Sequence, residues 1–311
     1  MIRIYRTDEQ KVHEIDRYEP DCWIHLSKPT GDELGRVIRD TGIEPDFLHA
    51  ALDEEERSRI ETENDQTLIL VDTPVIAADE TGREYDTIPL GIIMLPKCIV
   101  TVCISDTTFM QDFADGRVRT FSTKKRNRFI LQMLYRNAAR FLFHLRQIDR
   151  NSNVVEAELH KSMKNKELIA MLKLEKSLVY FSTSLKGNEV VLERLLRMSF
   201  IRQYPDDTDL LEDVIIENKQ AIEMCTIYRD ILSGTMDAFA SVISNNLNIV
   251  MKILTLITII MTIPTIVASL WGMNVPGLPF HNNPFGFWIV LGIAVALSGV
   301  TAYIMRKKKM F

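Results

Sequence analysis

Residues 253–305 contain no Asp, Glu, Lys or Arg, although charged residues make up 25% of the chain and its formal net charge is −5. So long an uncharged run would leave a broad apolar surface in water, so it must be covered by protein or by lipid. Two stretches inside it, "ILTLITIIMTIPTIVASLW" (253–271) and "FGFWIVLGIAVALSGVTAYIM" (285–305), approach the length that spans a bilayer. A helix needs about 20 apolar residues to cross a hydrocarbon core of roughly 30 Å. The competing reading is a pair of buried core helices, which the length and the missing charge disfavour.

Basic residues set the expected orientation. Lys252 precedes the first stretch, Arg306, Lys307, Lys308 and Lys309 follow the second, and the connecting loop has no Lys or Arg. Both flanks are therefore expected on the cytoplasmic side and the loop outside, giving a multi-pass plasma-membrane protein with cytoplasmic termini. Trp271, Trp288 and Tyr303 stand near the span ends, where amphipathic aromatics favour the headgroup region. The N-terminus, "MIRIYRTDEQ", lacks the apolar core of a secretory signal, in keeping with a cytoplasmic front portion. Cys22, Cys98, Cys103 and Cys225 show no CxxC spacing, so they are expected to be reduced, structural thiols.

Upstream, the length leaves room for about two domains in all. The segments "RIYR", "CWIHL", "TLILVDTPVIA", "TIPLGIIML" and "CIVTVCI" predict strands, being rich in β-branched and aromatic residues between turn signals. "GDELGRVIRDTG" and "EPDFLHAALDEEERSRI" predict helices. From Lys124 the apolar residues recur at three and four, with Gly187 and Pro205 as expected interruptions. After Pro205 the pattern runs unbroken to the first span. One helix over 206–271 would be roughly 100 Å long at 1.5 Å per residue, and it would need neighbours along its flank.

The expected class is an α/β cytoplasmic domain followed by a long helical stalk and two C-terminal transmembrane helices. The division is an α/β domain at 1–120, a helical region at 121–205 and a stalk helix at 206–252. Then come the first span at 253–271, an extracellular loop at 272–284, the second span at 285–305 and a basic tail at 306–311.

A polar stripe runs through the first span: Asn248, Met251, Thr255, Thr258, Thr262, Thr265 and Ser269, spaced three and four alternately. That is the period of a left-handed bundle seam. Hydroxyls on one membrane face suit either close helix packing, with each hydroxyl bonded to its own i−4 carbonyl, or the wall of a wet passage. The second reading requires several copies around one axis, because a two-span chain encloses nothing. Met251 and Leu254 would then form an apolar constriction. Pro264 leaves the carbonyl of residue 260 without its N–H partner, which is tolerable in lipid where that face is packed or wet.

These features carry a resemblance. The chain resembles the CorA family of two-span magnesium and divalent metal ion channels, through Gly272-Met273-Asn274 directly after the first span, the "MKILTLITIIMTIPTIVASLW" before it, the C-terminal pair of spans and the basic tail. The resemblance implies a funnel-shaped homopentamer in the lipid bilayer that conducts Mg2+, with Co2+ and Ni2+ as further candidates. The first span would line the pore. Asn248, Met251, Leu254, Thr258, Thr262 and Thr265 fall at its pore-lining positions, in agreement with the stripe, and Lys252 with the tail would form a basic collar.

Mg2+ dehydrates reluctantly, so a ring of Asn274 amide oxygens would accept hydrogen bonds from its water shell. Gly272 would permit a turn or a close approach, and Met273 would pack to position the loop. The family also closes when Mg2+ occupies acidic sites between subunits. Asp213 matches the stalk acid of that site. The partner segment reads "PDFLHAALDEEE", with Ala50 at the acid's place, so either Asp53 and Glu54, with the neighbouring Glu55 and Glu56, are the candidate substitutes or the regulatory site is weaker or moved. The acids Asp206 to Asp213 also have a plainer explanation, because carboxylates at a helix start complement its dipole.

Two rivals stay open. A zinc transporter of the same superfamily shares the hairpin, and the loop's "VPGLPFHNN" offers His281 but no acid. A membrane-anchored scaffold would explain the spans without the hydroxyl stripe. No P-loop, GxGxxG or HExxH pattern supports an enzyme, and neither an organic cofactor nor a nucleic-acid partner is expected.

Overall fold

The computed structural model describes residues 1–9, 11–79, 82–162, 165–198, 204–273, 275, 277–280 and 283–308, with backbone only at 77–79, 82, 83, 160 and 162. Asn274, His281 and Lys309 lie outside the described residues. The chain forms two compact units, Met1–Met236 and Asp237–Phe311.

The first unit is built on a seven-stranded sheet. Its strands are β1 (Ile2–Asp8), β2 (Lys11–Ile15), β3 (Cys22–Ser27), β4 (Arg59–Glu63), β5 (Gln66–Asp79), β6 (Gly82–Met94) and β7 (Cys98–Cys103). The order is β2-β1-β3-β7-β6-β5-β4, with β3–β7 the parallel pair and antiparallel neighbours elsewhere. Alternation along the strands sends neighbouring side chains to opposite faces. Trp23 and Ile99 join one core, while Cys22, Ile24, Cys98 and Val100 join the other.

Helices cover both faces. Leu34 and Val37 of α1 (Gly31–Thr41), with Phe47 and Leu48 of α2 (Pro45–Ala50), fill one core. On the other, α3 (Thr108–Ala114), α4 (Arg126–Ser162), α5 (Asn165–Leu195) and the first turns of α6 (Pro205–Trp271) pack around Trp23. The Trp23 indole is fully buried. Its N–H donates to the Thr101 hydroxyl at 2.8 Å, and the rings of Tyr5 and Phe129 lie 5.0 and 5.2 Å away. Burying one such side chain stabilises a fold by roughly 1.5–3 kcal/mol.

Helix ends follow local chemistry. Thr30 and Glu33 close a reciprocal capping box at the start of α1, and Gly42 ends it with φ 70°. Pro205 opens α6 at a position where its missing N–H costs no helical bond.

The structure corrects two sequence expectations and adds three elements. "EPDFLHAALDEEERSRI" is not one helix: α2 ends at Ala50, and Arg59–Glu63 is a strand. The Asp53 carboxylate accepts the Glu55 N–H at 3.0 Å, a local bond that competes with helix continuation in a run of four repelling acids. Gly187 does not interrupt a helix, because α5 runs through it. A Cβ there would stand 3.1 Å from the Ser58 hydroxyl, so it is a close-approach glycine. The edge strands β2 and β4 and the short α3 went unread.

The second unit contains the C-terminal part of α6 and all of α7 (Gly286–Lys307). Both helices carry stretches long and apolar enough to cross a membrane. All four cysteines are buried and unbridged.

Candidate conduction pathway

The stripe residues Asn248, Met251, Leu254, Thr255, Thr258, Thr262, Thr265 and Ser269 all lie on α6, and all are exposed within the single chain. At 100° per residue they share one helix face. Leu256, Ile260, Ile263, Val267 and Trp271, which are buried or partly covered, fall on the opposite face. The chain therefore covers the back of α6 and leaves the hydroxyl side bare. Residues 242–255 are exposed all round, Val242, Leu247, Val250 and Ile253 among them, and an apolar helix bare on every side requires covering by lipid or by further protein.

Each threonine of the stripe is bonded along its own helix. Thr255 donates to the Met251 carbonyl at 2.8 Å, Thr258 to Leu254 at 2.9 Å, Thr262 to Thr258 at 2.7 Å and Thr265 to Met261 at 3.0 Å. A hydroxyl has one proton to give and two lone pairs to offer. With those protons committed inward, the four threonine hydroxyls present acceptors to the exposed face, beside the Asn248 amide, which both donates and accepts. Pro264 sits inside the helix between two of these bonds and partly covered.

At the end of α6 the Gly272 N–H donates to the Ala268 carbonyl at 2.8 Å. A Cβ on Gly272 would lie 3.1 Å from that same oxygen, so the glycine permits a tight helix exit. Met273 is half exposed, at 50%. Sequence reasoning missed the fastening of the return path. The Trp271 indole N–H donates to the Pro279 carbonyl at 2.9 Å, Phe280 takes a positive φ of 68°, and a Cβ on Gly286 would meet the Phe280 carbonyl oxygen at 2.3 Å. No periodicity reveals such contacts, since they join residues across a loop.

The acidic candidates are placed apart from one another. Asp213 is exposed on α6, and Asp53 and Glu54 are exposed in the turn after α2. Among the described residues no three His, Cys, Asp or Glu side chains gather to hold a metal within one chain. Ala50 is 8% exposed and belongs to the α1/α2 core. An acid there would be buried without a partner, at a heavy desolvation cost, which accounts for the alanine. Near Asp213, the Tyr135 hydroxyl lies 3.4 Å from Glu217 Oε1. Burial pushes the Tyr135 pKa up, with Glu217 and Asp213 adding to the shift. Lys252 is exposed on α6, and Arg306, Lys307 and Lys308 are exposed at the end of α7.

Comparison with known proteins agrees with this architecture. A family model described as "CorA-like Mg2+ transporter protein" matches residues 21–307. The cobalt/magnesium transport protein CorA of Methanocaldococcus jannaschii is 31% identical over 297 residues, covering 92% of this chain and 90% of that protein. The complete structure of the CorA magnesium transporter from that organism superposes with a TM-score of 0.83 and 26% identity, over 98% of this chain and 97% of the other. The ZntB cytoplasmic domain from Vibrio parahaemolyticus aligns with a TM-score of 0.60 at 11% identity, covering 79% of this chain and 97% of that one, a likeness of fold alone.

Proposed function

The chain belongs to the CorA-like Mg2+ transporter family, and from that premise we propose that it carries hydrated Mg2+ across the plasma membrane through a homopentameric pore lined by α6. The observation that supports this reading is the bare face of α6, on which the four stripe threonines turn hydroxyl oxygens outward, although their i−4 bonds are equally those of the packing reading. Water bound to a cation turns its oxygen inward and its hydrogens outward, so a hydrated ion meets the wall as a donor. Outward hydroxyl oxygens complement that shell without stripping it, which suits an ion that keeps several waters.

In this reading Gly272, Met273 and Asn274 form the selectivity loop at the outer mouth, where Asn274 amide oxygens accept from the water shell and release it again. Met251 and Leu254 form the apolar constriction near the cytoplasmic end, and Asn248 lines the pore below them. Asp213, with Asp53 and Glu54 from a neighbouring subunit, senses cytoplasmic Mg2+ and closes the pore. Lys252 and Arg306 to Lys309 form a basic collar whose first role is to hold the termini in the cytoplasm.

Co2+ accompanies Mg2+ in the name of the similar archaeal protein and is proposed here as a second cargo. A zinc transporter is the alternative. The described face of the stripe offers hydroxyls, an amide and one thioether rather than the imidazole and thiolate ligands that zinc favours, so the hard ion is preferred.

Uptake into proteoliposomes, measured in parallel for Mg2+, Co2+, Ni2+ and Zn2+ with and without a proton gradient, tests the proposal. Mg2+ uptake is expected in wild type and its loss in Asn274→Ala, with oligomer size unchanged. Wild-type Mg2+ flux in Asn274→Ala would remove the role given to the loop. No flux of any ion would favour a scaffold.

A further inference from the structure

The two ends of the loop at 272–284 are joined by a contact set that the pore reading does not use. Trp271, the last residue of α6, donates its indole N–H across the loop to the Pro279 carbonyl at 2.9 Å. Gly286, the first residue of α7, leaves a gap that its neighbours fill: a Cβ there would stand 2.3 Å from the Phe280 carbonyl oxygen, 3.3 Å from the Phe280 carbonyl carbon and 3.3 Å from Trp271 Cζ2. The Phe280 carbonyl also accepts the Asn283 N–H at 3.1 Å, and Gly286 donates its N–H to the Asn283 carbonyl at 2.9 Å. Indole, Phe280 carbonyl and Gly286 thus occupy one small volume where the chain leaves α6 and enters α7.

Membrane-interface anchoring does not account for this arrangement. An anchoring aromatic leaves its ring free to meet the headgroups, and the rings of Trp288 and Tyr303 are bare in this way, at 67% and 68% exposure. Trp271 is instead partly covered and turned onto the loop. Its polar atom is spent on a backbone carbonyl eight residues on, and its ring edge rests against the one residue type that leaves room for it.

We infer that Trp271 and Gly286 are positioning residues, a clamp that holds the loop ends together and so sets how strictly the pore discriminates between hydrated ions. The inference rests on the pore reading above, because discrimination matters only where the loop is the selective element. A ring of acceptors that recognises a water shell must hold its radius to about 0.5 Å, the tolerance of a preorganised site. Neither clamp residue touches the ion. Their loss therefore loosens selectivity before it abolishes flux.

The test is the ratio of Mg2+ to Ca2+ uptake by the full-length protein in proteoliposomes, with oligomer size followed by size-exclusion chromatography. Trp271→Phe keeps an aromatic side chain but removes the N–H and shortens the ring that reaches Gly286. Gly286→Ala places a carbon where backbone already stands. Trp271→Phe is expected to lower the ratio about three- to tenfold, the size of one net hydrogen bond, with the oligomer unchanged, and Gly286→Ala to lower it in the same direction by displacing the Phe280 carbonyl. The double variant should be no worse than the stronger single one, because both act through one contact set. A wild-type ratio in Trp271→Phe overturns the clamp even where Gly286→Ala fails to assemble. Asn274→Ala in the same preparations separates the two ideas. Its loss of flux beside unchanged ratios in the clamp variants refutes the clamp alone, and its wild-type flux removes the selective role of the loop on which the clamp depends.

Discussion

Thr262 donates its hydroxyl to the carbonyl oxygen of Thr258, one turn back on the same helix and 2.7 Å away. The bond lets a polar side chain sit in an apolar helix without an unsatisfied donor, and it turns the remaining lone pairs outward. Valine has nearly the same shape and no oxygen. Thr258→Val and Thr262→Val are therefore expected to keep helix content and oligomer size while lowering Mg2+ uptake by up to about tenfold per ring of lost acceptors. Thr→Ser at the same positions retains the oxygen and should retain flux. Equal uptake by the Val and Ser variants would assign the stripe to helix packing.

Gly91 on β6 lies against the end of α2, where a Cβ would stand 2.4 Å from the Ala51 Cβ. Gly91→Ala should destabilise the sheet unit by about 1–3 kcal/mol through overpacking. The obstacle is chiefly one methyl group, since the Ala51 Cα would be 3.7 Å away. Ala51→Gly in the Gly91→Ala background is expected to recover most of the lost melting temperature. Thermal unfolding of the four proteins gives the coupling directly.

Much of the architecture is legible without coordinates, for identifiable reasons. The spans and the long helix announce themselves through an uncharged run and an unbroken three-four period, which depend only on local order. The interior strands do likewise, being buried on both faces. What stays hidden depends on partners distant in sequence. Gly187 looks like a breaker until Ser58 is seen beside it, and Gly286 looks like any span glycine until the Phe280 carbonyl occupies its gap. The strands β2 and β4 are edge strands with exposed, polar patterns, so they lack the apolar signature by which strands are read. For the site, the stripe is visible as a period and the i−4 bonding of its hydroxyls is among the expectations, whereas the bond from Trp271 across the loop to Pro279 is not.

His144 is 4% exposed on α4, between the rings of Tyr85 and Phe143 at 5.7 and 5.3 Å. Burial and the nearby Arg140 push its pKa down to about 4, against a weaker opposing bond to Gln147. An unfolded imidazole titrates near 6.5. Between those values the unfolded chain holds more protons than the folded one, so stability is full above about pH 6.5 and falls as pH drops towards 4. Each such histidine contributes a slope of up to about 1.4 kcal/mol per pH unit, and His25, with a pKa lowered to about 4 chiefly by burial, adds a second. His144→Leu should flatten the acid side of a melting-temperature profile between pH 7 and pH 4. An unchanged slope would show that other groups govern it.

Asp213 stands on α6 one turn before Glu217, and both raise the Tyr135 pKa behind the larger effect of burial. Its exposure leaves it free to meet a neighbouring subunit, and its negative field is already felt inside its own. If Mg2+ bridges Asp213 to the Asp53 and Glu54 turn of the next copy, millimolar Mg2+ should protect the stalk from limited proteolysis in wild type. The Mg2+ concentration for half protection should rise at least about tenfold in Asp213→Ala, as it does when a metal site loses a supporting group. Asp206→Asn is the control. Asp206 lies in the first turn of α6, where a carboxylate stabilises the helix dipole whether or not a metal binds, so this change should leave the Mg2+ dependence where it was. Equal shifts in the two variants would make the acidic run a helix-start feature, and no shift in Asp213→Ala would move regulation away from this residue.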